Sequence, residues 1–417
     1  MAATKSASRQ GLIEGRIGTA ALTRAASQGL DLSTVVDALG VAALSGPAKA
    51  AALMDLSTIE QLNGRLQEGL ALQARALEQC KVYETVTGVA TDLHLLVLAA
   101  PIHLGGNTPT DFLTEGSSIR HTTLYLGPDL AIPDPLPEHD IAFVAAPGDT
   151  DSSRPFLLHI ADCVRDWPKP VLNAPRAIEG LERDQLPMTF RDTPQLWLPN
   201  TARIDREDLA KIGHGTLRPD DMFADLDFPL VLRPVGSHAG RNLELLSTAA
   251  DVKGYLNTCV DPEFFVSSYI DYRSADGAFR KYRIVFVDGA PYACHMAIAD
   301  QWKVWYMNAG MDQAAAKRRE EQRFMERFDC EFARRHREAL TELARKVDLD
   351  YFGIDCAESP DGRLVVFEAD NALIVHDMDS DQVFPYKRKQ MQKVFAAFVE
   401  MLRAKAEDCP ARHSKSG

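Results

Sequence analysis

Three acidic residues toward the C-terminal end of the chain are spaced to act together. Asp355 precedes a turn signal at Pro360-Asp361-Gly362, and Glu368 and Asp370 follow it. If the flanking stretches are strands, alternation puts Glu368 and Asp370 on one face, and pairing across the turn brings Asp355 beside them. Their neighbours Ile354, Val365, Val366 and Phe367 are apolar. Three carboxylates in such a setting repel one another unless a divalent cation neutralises them, and hard oxygen ligands suit magnesium. The plainer alternative is a set of solvated strand-end acids. A second candidate lies upstream, where an apolar stretch ending in Arg233 runs into Gly236-Ser237-His238-Ala239-Gly240-Arg241. Flexible backbone there offers N–H groups to phosphate oxygens, and Ser237 and Arg241 add donors. It is not a Walker loop, since no GK[ST] follows, nor a GxGxxG opening a helix.

The elements that must position these groups read as an α/β chain in several domains. The 417 residues exceed one ordinary core, and 46% hydrophobic with 25% charged residues is the balance of a globular protein. A formal charge of −13 argues against a nucleic-acid partner, while leaving room for a local basic pocket for a small anion. No apolar run reaches the ~18–20 residues of a membrane helix, so no membrane partner is expected. Seven cysteines without a CxxC pair suggest reduced thiols and a cytoplasmic setting, with Cys356 a buried structural thiol. Helical spacing of Ile59, Leu62, Leu66, Leu70 and Leu77 predicts a helical pair broken at Asn63-Gly64, with Ser57 as its N-cap. It resembles one tetratricopeptide-type hairpin, or equally a helical cap for the next domain. From Asp92 onward, DLHLLVLAA, TTLYL, DIAFVAA and KPVLNA predict a parallel sheet with an intervening helix. Strands then recur at FPLVLRPV and EFFVSSYIDY, in the hairpin FRKYRIVFVDGAPYACHMAI, and on both sides of the Pro360-Asp361-Gly362 turn. Charged helical stretches at 313–327 and 331–346 and a last helix at 384–404 complete the pattern, with a polar tail expected to be disordered.

Taken in order over about 169–404, these pieces resemble the ATP-grasp superfamily, in its branch of carboxylate–amine ligases related to glutathione synthetase and the ribosomal-protein glutamate ligases. FPLVLRPVGSHAG looks like the phosphate-binding cation and mobile glycine loop, FFVSSYID like the adenine-contacting hinge, FRKYRIVFVDG like the arginine hairpin, and GIDCAESPDGRLVVFEADN like the metal hairpin. The resemblance implies an ATP-grasp fold of α/β class, with a helical, tetratricopeptide-like segment at 1–85 and a pre-grasp parallel α/β domain at 86–180. A small lobe with the glycine loop would follow at 181–270, a C-terminal lobe at 271–405, and a disordered tail at 406–417.

Residue by residue, the resemblance implies that Arg233 contacts nucleotide phosphates, that Gly236, Ser237, His238 and Gly240 belong to the lid loop, and that Ser268, Tyr269 and Ile270 read the adenine, with Asp271 reaching the ribose. Arg283 would stabilise the transferring phosphoryl group, with Asn308 near it, and Asp355, Glu368 and Asp370 would hold a pair of magnesium ions that manganese can replace. Departures from the family pattern are Arg233 for lysine, Ser268 for the hinge acid, Lys281 for the acid two residues before Arg283, and Asp370 for asparagine, with Asn371 adjacent. For the substrate end, His295, Trp302, Lys303, Trp305 and Tyr306 read equally as an aromatic pocket or as core packing. His295 reads as a base or as a satisfied core group. Asn371, His376 and Asp377 are candidates by proximity. The helix at 313–327 reads as a solvated face of i,i+4 pairs or, less favoured, as a family insertion that caps the substrate pocket.

The implied activity is ATP-dependent amide formation from small carboxylate and amine substrates through an acyl phosphate, with self-association common in the family. Two rivals are an ATP-grasp phosphotransferase that needs no amine, and a non-catalytic nucleotide-binding scaffold whose N-terminal helices bind a partner.

Overall fold

A computed structural model of the chain describes residues 13–44, 48–86, 90–127, 130, 132–148, 153–223, 226–237 and 240–408. Among them, fifteen strands form three sheets. The first contains β1 (Ile13–Arg16), β2 (Val82–Thr85), β3 (Leu93–Ala99), β4 (Ile119–Tyr125), β5 (Ile141–Val144) and β6 (Val171–Leu172), ordered β1-β2-β4-β3-β5-β6. All its pairings are parallel except β2 with β4. β3 is the apolar run expected to be a buried parallel strand, and Leu95, Leu96 and Leu98 are fully buried in it.

β7 (Leu196–Trp197) crosses to the third sheet, and the chain then builds the second from β8 (Thr201–Asp205), β9 (Leu230–Pro234), β10 (Glu244–Leu246) and β11 (Glu263–Ser268). This sheet is antiparallel, ordered β10-β9-β11-β8. The third is β12 (Phe279–Val287), β13 (Ala290–Ala299), β14 (Tyr351–Glu358) and β15 (Leu364–Asp370) with β7, ordered β13-β12-β14-β15-β7 and antiparallel apart from the short β7. Asp288 and Gly289, both at positive φ, make the tight turn between β12 and β13 that the sequence predicts.

Hydrophobic packing divides the molecule differently from the chain order. The first and third sheets share one continuous core, in which the rings of Phe143, Tyr351 and Phe398 meet edge to face. The second sheet has a core of its own, built on Leu209, Ile212, Leu230, Leu232, Phe264 and Val266. A lobe with a separate core can shift against the rest without opening the main one. Two largely antiparallel sheets beside a mostly parallel layer make the chain mixed α/β, the class expected from the sequence.

Asn173 joins the α/β layer to the third sheet. It sits at φ 55, donates through Nδ2 to the Tyr351 carbonyl (2.8 Å) and accepts at Oδ1 from the Tyr351 N–H (2.8 Å). Asn173→Ala leaves both backbone groups of Tyr351 without a partner in a dry core. The expected loss is about 2–3 kcal/mol, read from urea unfolding; a change near zero contradicts this role.

The N-terminal segment departs from expectation. The helices Lys49–Leu62 and Leu66–Leu77 do pack together across a break at Gly64, whose φ is 78. They are bracketed, however, by β1 and β2, which pair with each other and join the first sheet through β4, so the described part of this segment is not wholly helical. Ser57 lies inside the first of these helices, and its hydroxyl donates to the Gly69 carbonyl (2.6 Å), so it is a clasp between the two helices and not an N-cap. The last helix runs Lys387–Glu407, so the expected tail at 406–417 overlaps it and then leaves the described residues. No helix among the described residues is long and apolar enough to cross a membrane.

Candidate functional site

β12, β14 and β15 carry the charged residues, and two irregularities aim them. Arg283 on β12 pairs directly with Asp355 on β14, which pairs with Glu368 on β15. The register slips just past Arg283 against β13 and just past Asp355 against β15. Such bulges re-aim side chains and are common beside functional sites. Here Phe367, Glu368 and Asp370 all line one cleft between the second and third sheets. The cleft measures about 1000 Å³, at the upper end of ligand-pocket sizes, with room for a nucleotide and a second molecule.

Its charge is opposite to that of the whole chain. Arg183, Arg233, Lys281, Arg283 and Lys303 line it together with Asp355, Glu368 and Asp370. Five cations against three carboxylates make a positive cleft in a protein of net charge −13. A low-dielectric wall strengthens that field, so the cleft suits a polyanion.

The three acids expected to converge on metal do line this cleft, but among the described residues no three His, Cys, Asp or Glu side chains are grouped to hold an ion. Asp355 is gripped instead by Arg283, with Nε to Oδ1 at 2.8 Å and Nη2 to Oδ2 at 3.0 Å, and by Lys281 Nζ to Oδ2 at 2.9 Å. Burial opposes its charge, yet Arg283 and Lys281 outweigh that and hold the carboxyl well below the usual carboxylate range. Glu368 is more open: Arg183 pairs with Oε2, and Arg233 stands 4.0 Å from the same oxygen. Asp370 accepts from the Ala372 N–H (2.8 Å) through Oδ1. Hard carboxylate donors at i and i+2 fit a divalent ion at Glu368 and Asp370; the donor set around Asp355 does not, because three hydrogen bonds from cations cover both of its oxygens and its side chain is only 5% exposed, against 21% for Glu368.

The nucleotide-side residues divide. Arg233, Gly236, Gly240, Ser268, Tyr269 and Ile270 all line the cleft. Gly236 and Gly240 stand at φ 66 and 70, where a side chain would be strained, which explains glycine at both ends of the loop. Ser237 turns toward Arg233. Its carbonyl accepts from Arg233 Nη2 and its hydroxyl from Arg233 Nε, so it pins the arginine and is not itself a lining group. Asp271 forks with Arg273 at the surface and is not among the lining residues. His238 lies outside the described residues.

At the far end, Trp302, Lys303, Trp305 and Asn308 line the cleft. Lys303 donates to the Leu243 carbonyl (2.7 Å) and so reaches across to the small lobe. Asn308 accepts from the Trp305 N–H (3.0 Å), leaving its amide N–H groups as donors. His295 and Tyr306 do not line it. Their rings meet edge to face at 4.8 Å, and Tyr306 donates to Glu321 Oε2 (3.1 Å) within a network that also holds Tyr386 and Lys387. Glu321 is fully buried there, so the helix Ala315–Glu326 is not the wholly solvated face expected. Asn371 is also corrected. Its Nδ2 donates to the Ala146 carbonyl (2.9 Å), binding β15 to the α/β layer, while Asp370 is the neighbour that faces the cleft. Asp377 pairs with Arg24 (2.6 Å), and neither it nor His376 lines the cleft. Cys356 is buried and its thiol is pushed up by that burial, as a structural thiol should be.

His295 is unsuited to the role of base. Burial, then Arg283 and Lys387, push its imidazole well below the ordinary 6.5. The unfolded chain therefore binds a proton near pH 6.5 that the folded chain refuses, and stability falls as pH drops below that value. His295→Gln should flatten this acid-side decline, by up to about 1.4 kcal/mol per pH unit, and leave the activity profile above pH 7 unmoved. Unfolding midpoints at pH 5 and 7.5 test it; a shifted alkaline activity profile contradicts it.

Arg183 is the functional candidate that sequence reasoning missed. It stands in an irregular stretch after the helix Pro175–Glu179, where no periodicity marks it, yet it reaches Glu368 and, through Nη1, the Phe367 carbonyl (3.4 Å). Its one sequence signal is an arginine just beyond the strand that leaves the α/β layer.

No protein-family model matches the sequence, and no curated protein matches it. Solved structures resemble the chain at low levels. A D-alanine–D-alanine ligase from Bacillus anthracis complexed with ATP is 13% identical, over 76% of this chain and 100% of that one, with a TM-score of 0.44. A RimK domain protein ATP-grasp from Sphaerobacter thermophilus is 14% identical, over 74% and 99%, at 0.40. The ATP-grasp ligase PsnB, complexed with precursor peptide PsnA2 and AMPPNP, is 12% identical, over 76% and 100%, at 0.39. Likeness at this level does not decide function, which rests on the residues of the cleft.

Proposed function

We propose that this protein is an ATP-dependent carboxylate–amine ligase acting on small, amino-acid-like substrates. The observation that carries the reading is the positive cleft between two largely antiparallel sheets, with a glycine loop on one wall and Arg283, Asp355, Glu368 and Asp370 on the other.

A substrate carboxylate oxygen attacks the γ-phosphorus of ATP, the bond to the β-bridging oxygen breaks, and ADP leaves an acyl phosphate behind. The amine then attacks the acyl carbon, loses a proton, and expels inorganic phosphate to leave the amide. No protein nucleophile is needed. The work is electrostatic and positional. Arg233 would face the polyphosphate from the small lobe, held in place by Ser237, and Arg183 would face it from beside β15. Arg283 has three of its five N–H groups committed, to Asp355 and to the Ile374 carbonyl (3.1 Å), and offers the remainder to the transferring group. Asn308, which lines the same cleft, would add a donor for that group. Magnesium, when bound at Glu368 and Asp370, would offset the charge of the β- and γ-phosphates, and manganese can serve in its place. The apolar walls from Ile102, Leu104, Phe156 and Leu373 limit water that would hydrolyse the acyl phosphate.

The test is an ADP-release screen of amino acids singly and in pairs, with magnesium. Release that requires both a carboxylate and an amine supports the ligase. Release with a stable phosphorylated product and no amine replaces it with a phosphotransferase.

A further inference from the structure

Asp355 is held by cations on both of its carboxylate oxygens. Lys281 and Arg283 stand at i and i+2 on β12, so both side chains emerge on the face that carries Asp355 on the paired strand. Arg283 forks both carboxylate oxygens and Lys281 adds a third contact at 2.9 Å, on a side chain only 5% exposed. A carboxylate has about four acceptor positions, and three are filled here. A divalent ion must approach an oxygen to about 2.0–2.1 Å, which would set it directly against an ammonium and a guanidinium. Glu368 differs in both respects. Its two arginines both come closest to the same oxygen, Oε2, and its side chain is 21% exposed.

We propose that Lys281 is a fixed counter-cation in the place of a divalent ion at Asp355, so that this cleft takes a nucleoside triphosphate with one divalent ion, at Glu368 and Asp370, and not two. The proposal rests on the nucleotide reading above. Lys281 lines the cleft and gives one N–H to Asp355, so its other two are donors for the triphosphate. A permanent cation there binds polyanion without waiting for metal, at the cost of the stronger field that a second divalent charge gives.

The experiment counts manganese by electron paramagnetic resonance in the full chain, with a non-hydrolysable ATP analogue, after free ligand is removed, and counts retained nucleotide in the same sample. The wild type is expected to hold one manganese per nucleotide. Lys281→Glu, which removes the cation and adds a hard ligand, is expected to hold two. Lys281→Gln is the second variant should that one fold poorly, and is expected to take the second ion at least tenfold more tightly than the wild type does. Two ions per nucleotide on the wild type overturn the proposal while leaving the ligase reading intact. One ion on the wild type and on both variants also overturns it, because Lys281 then excludes nothing. No retained nucleotide refutes the ligase reading itself, and the proposal with it.

Discussion

Arg283→Lys is expected to lower kcat by about 10²–10³-fold, equivalent to about 2.7–4 kcal/mol of transition-state stabilisation, with a smaller change in KM for ATP. Lysine keeps the charge but loses the planar fork that lets one side chain hold Asp355 and still face the cleft. The guanidinium is kept charged: burial works against it, but the Asp355 carboxylate outweighs that and raises its pKa. Its contact with the phosphoryl group strengthens as charge moves in the transition state, so the loss falls on kcat. Arg283→Ala is the poorer variant, since it also strips a buried carboxylate of its main partner. Steady-state kinetics over an ATP series checks the split. A rise in KM with kcat unchanged would make Arg283 a ground-state contact only.

Glu368→Gln is expected to cut kcat by about 10²-fold or more and to raise the magnesium concentration needed for half-maximal rate by at least tenfold. The amide keeps the size of the side chain on a strand whose packing rests on Val365, Val366 and Ala369, so the melting temperature should hardly move. Removing the negative charge also releases Arg183 and Arg233, so metal-free nucleotide should bind no worse than before. Loss of rate with retained nucleotide binding is therefore the signature. Unchanged turnover and magnesium demand would end the metal role of Glu368.

Much of the frame could be read from the chain because alternation and turn chemistry are local. The apolar run at 93–101 became β3, the Asp288-Gly289 turn joined β12 to β13, and the turn at 360–362 joined β14 to β15. The strands β1, β2 and β7 are short and lie at or near sheet edges, so no periodicity announces them. Without those strands, the N-terminal segment reads as helices alone.

The site was legible as far as strand alternation reaches. It placed Glu368 and Asp370 together and Asp355 opposite, and all three line the cleft. The same rule applied to Lys281 and Arg283 would have shown two cations converging on Asp355. What alternation cannot show is which partner a side chain finds outside its own hairpin. Asn371 turned to the α/β layer, Ser237 to Arg233, and Tyr306 to a buried network with Glu321 and Lys387. Arg183 enters from a loop about 185 positions before Glu368, and only the folded chain brings the two together.

Equilibrium titration of the full chain with a non-hydrolysable ATP analogue, in the presence of magnesium, tests the central claim most directly. A saturable site at one nucleotide per chain, weakened at least tenfold by Arg233→Ala, is the predicted result. No saturable binding, or binding indifferent to that substitution, would contradict it.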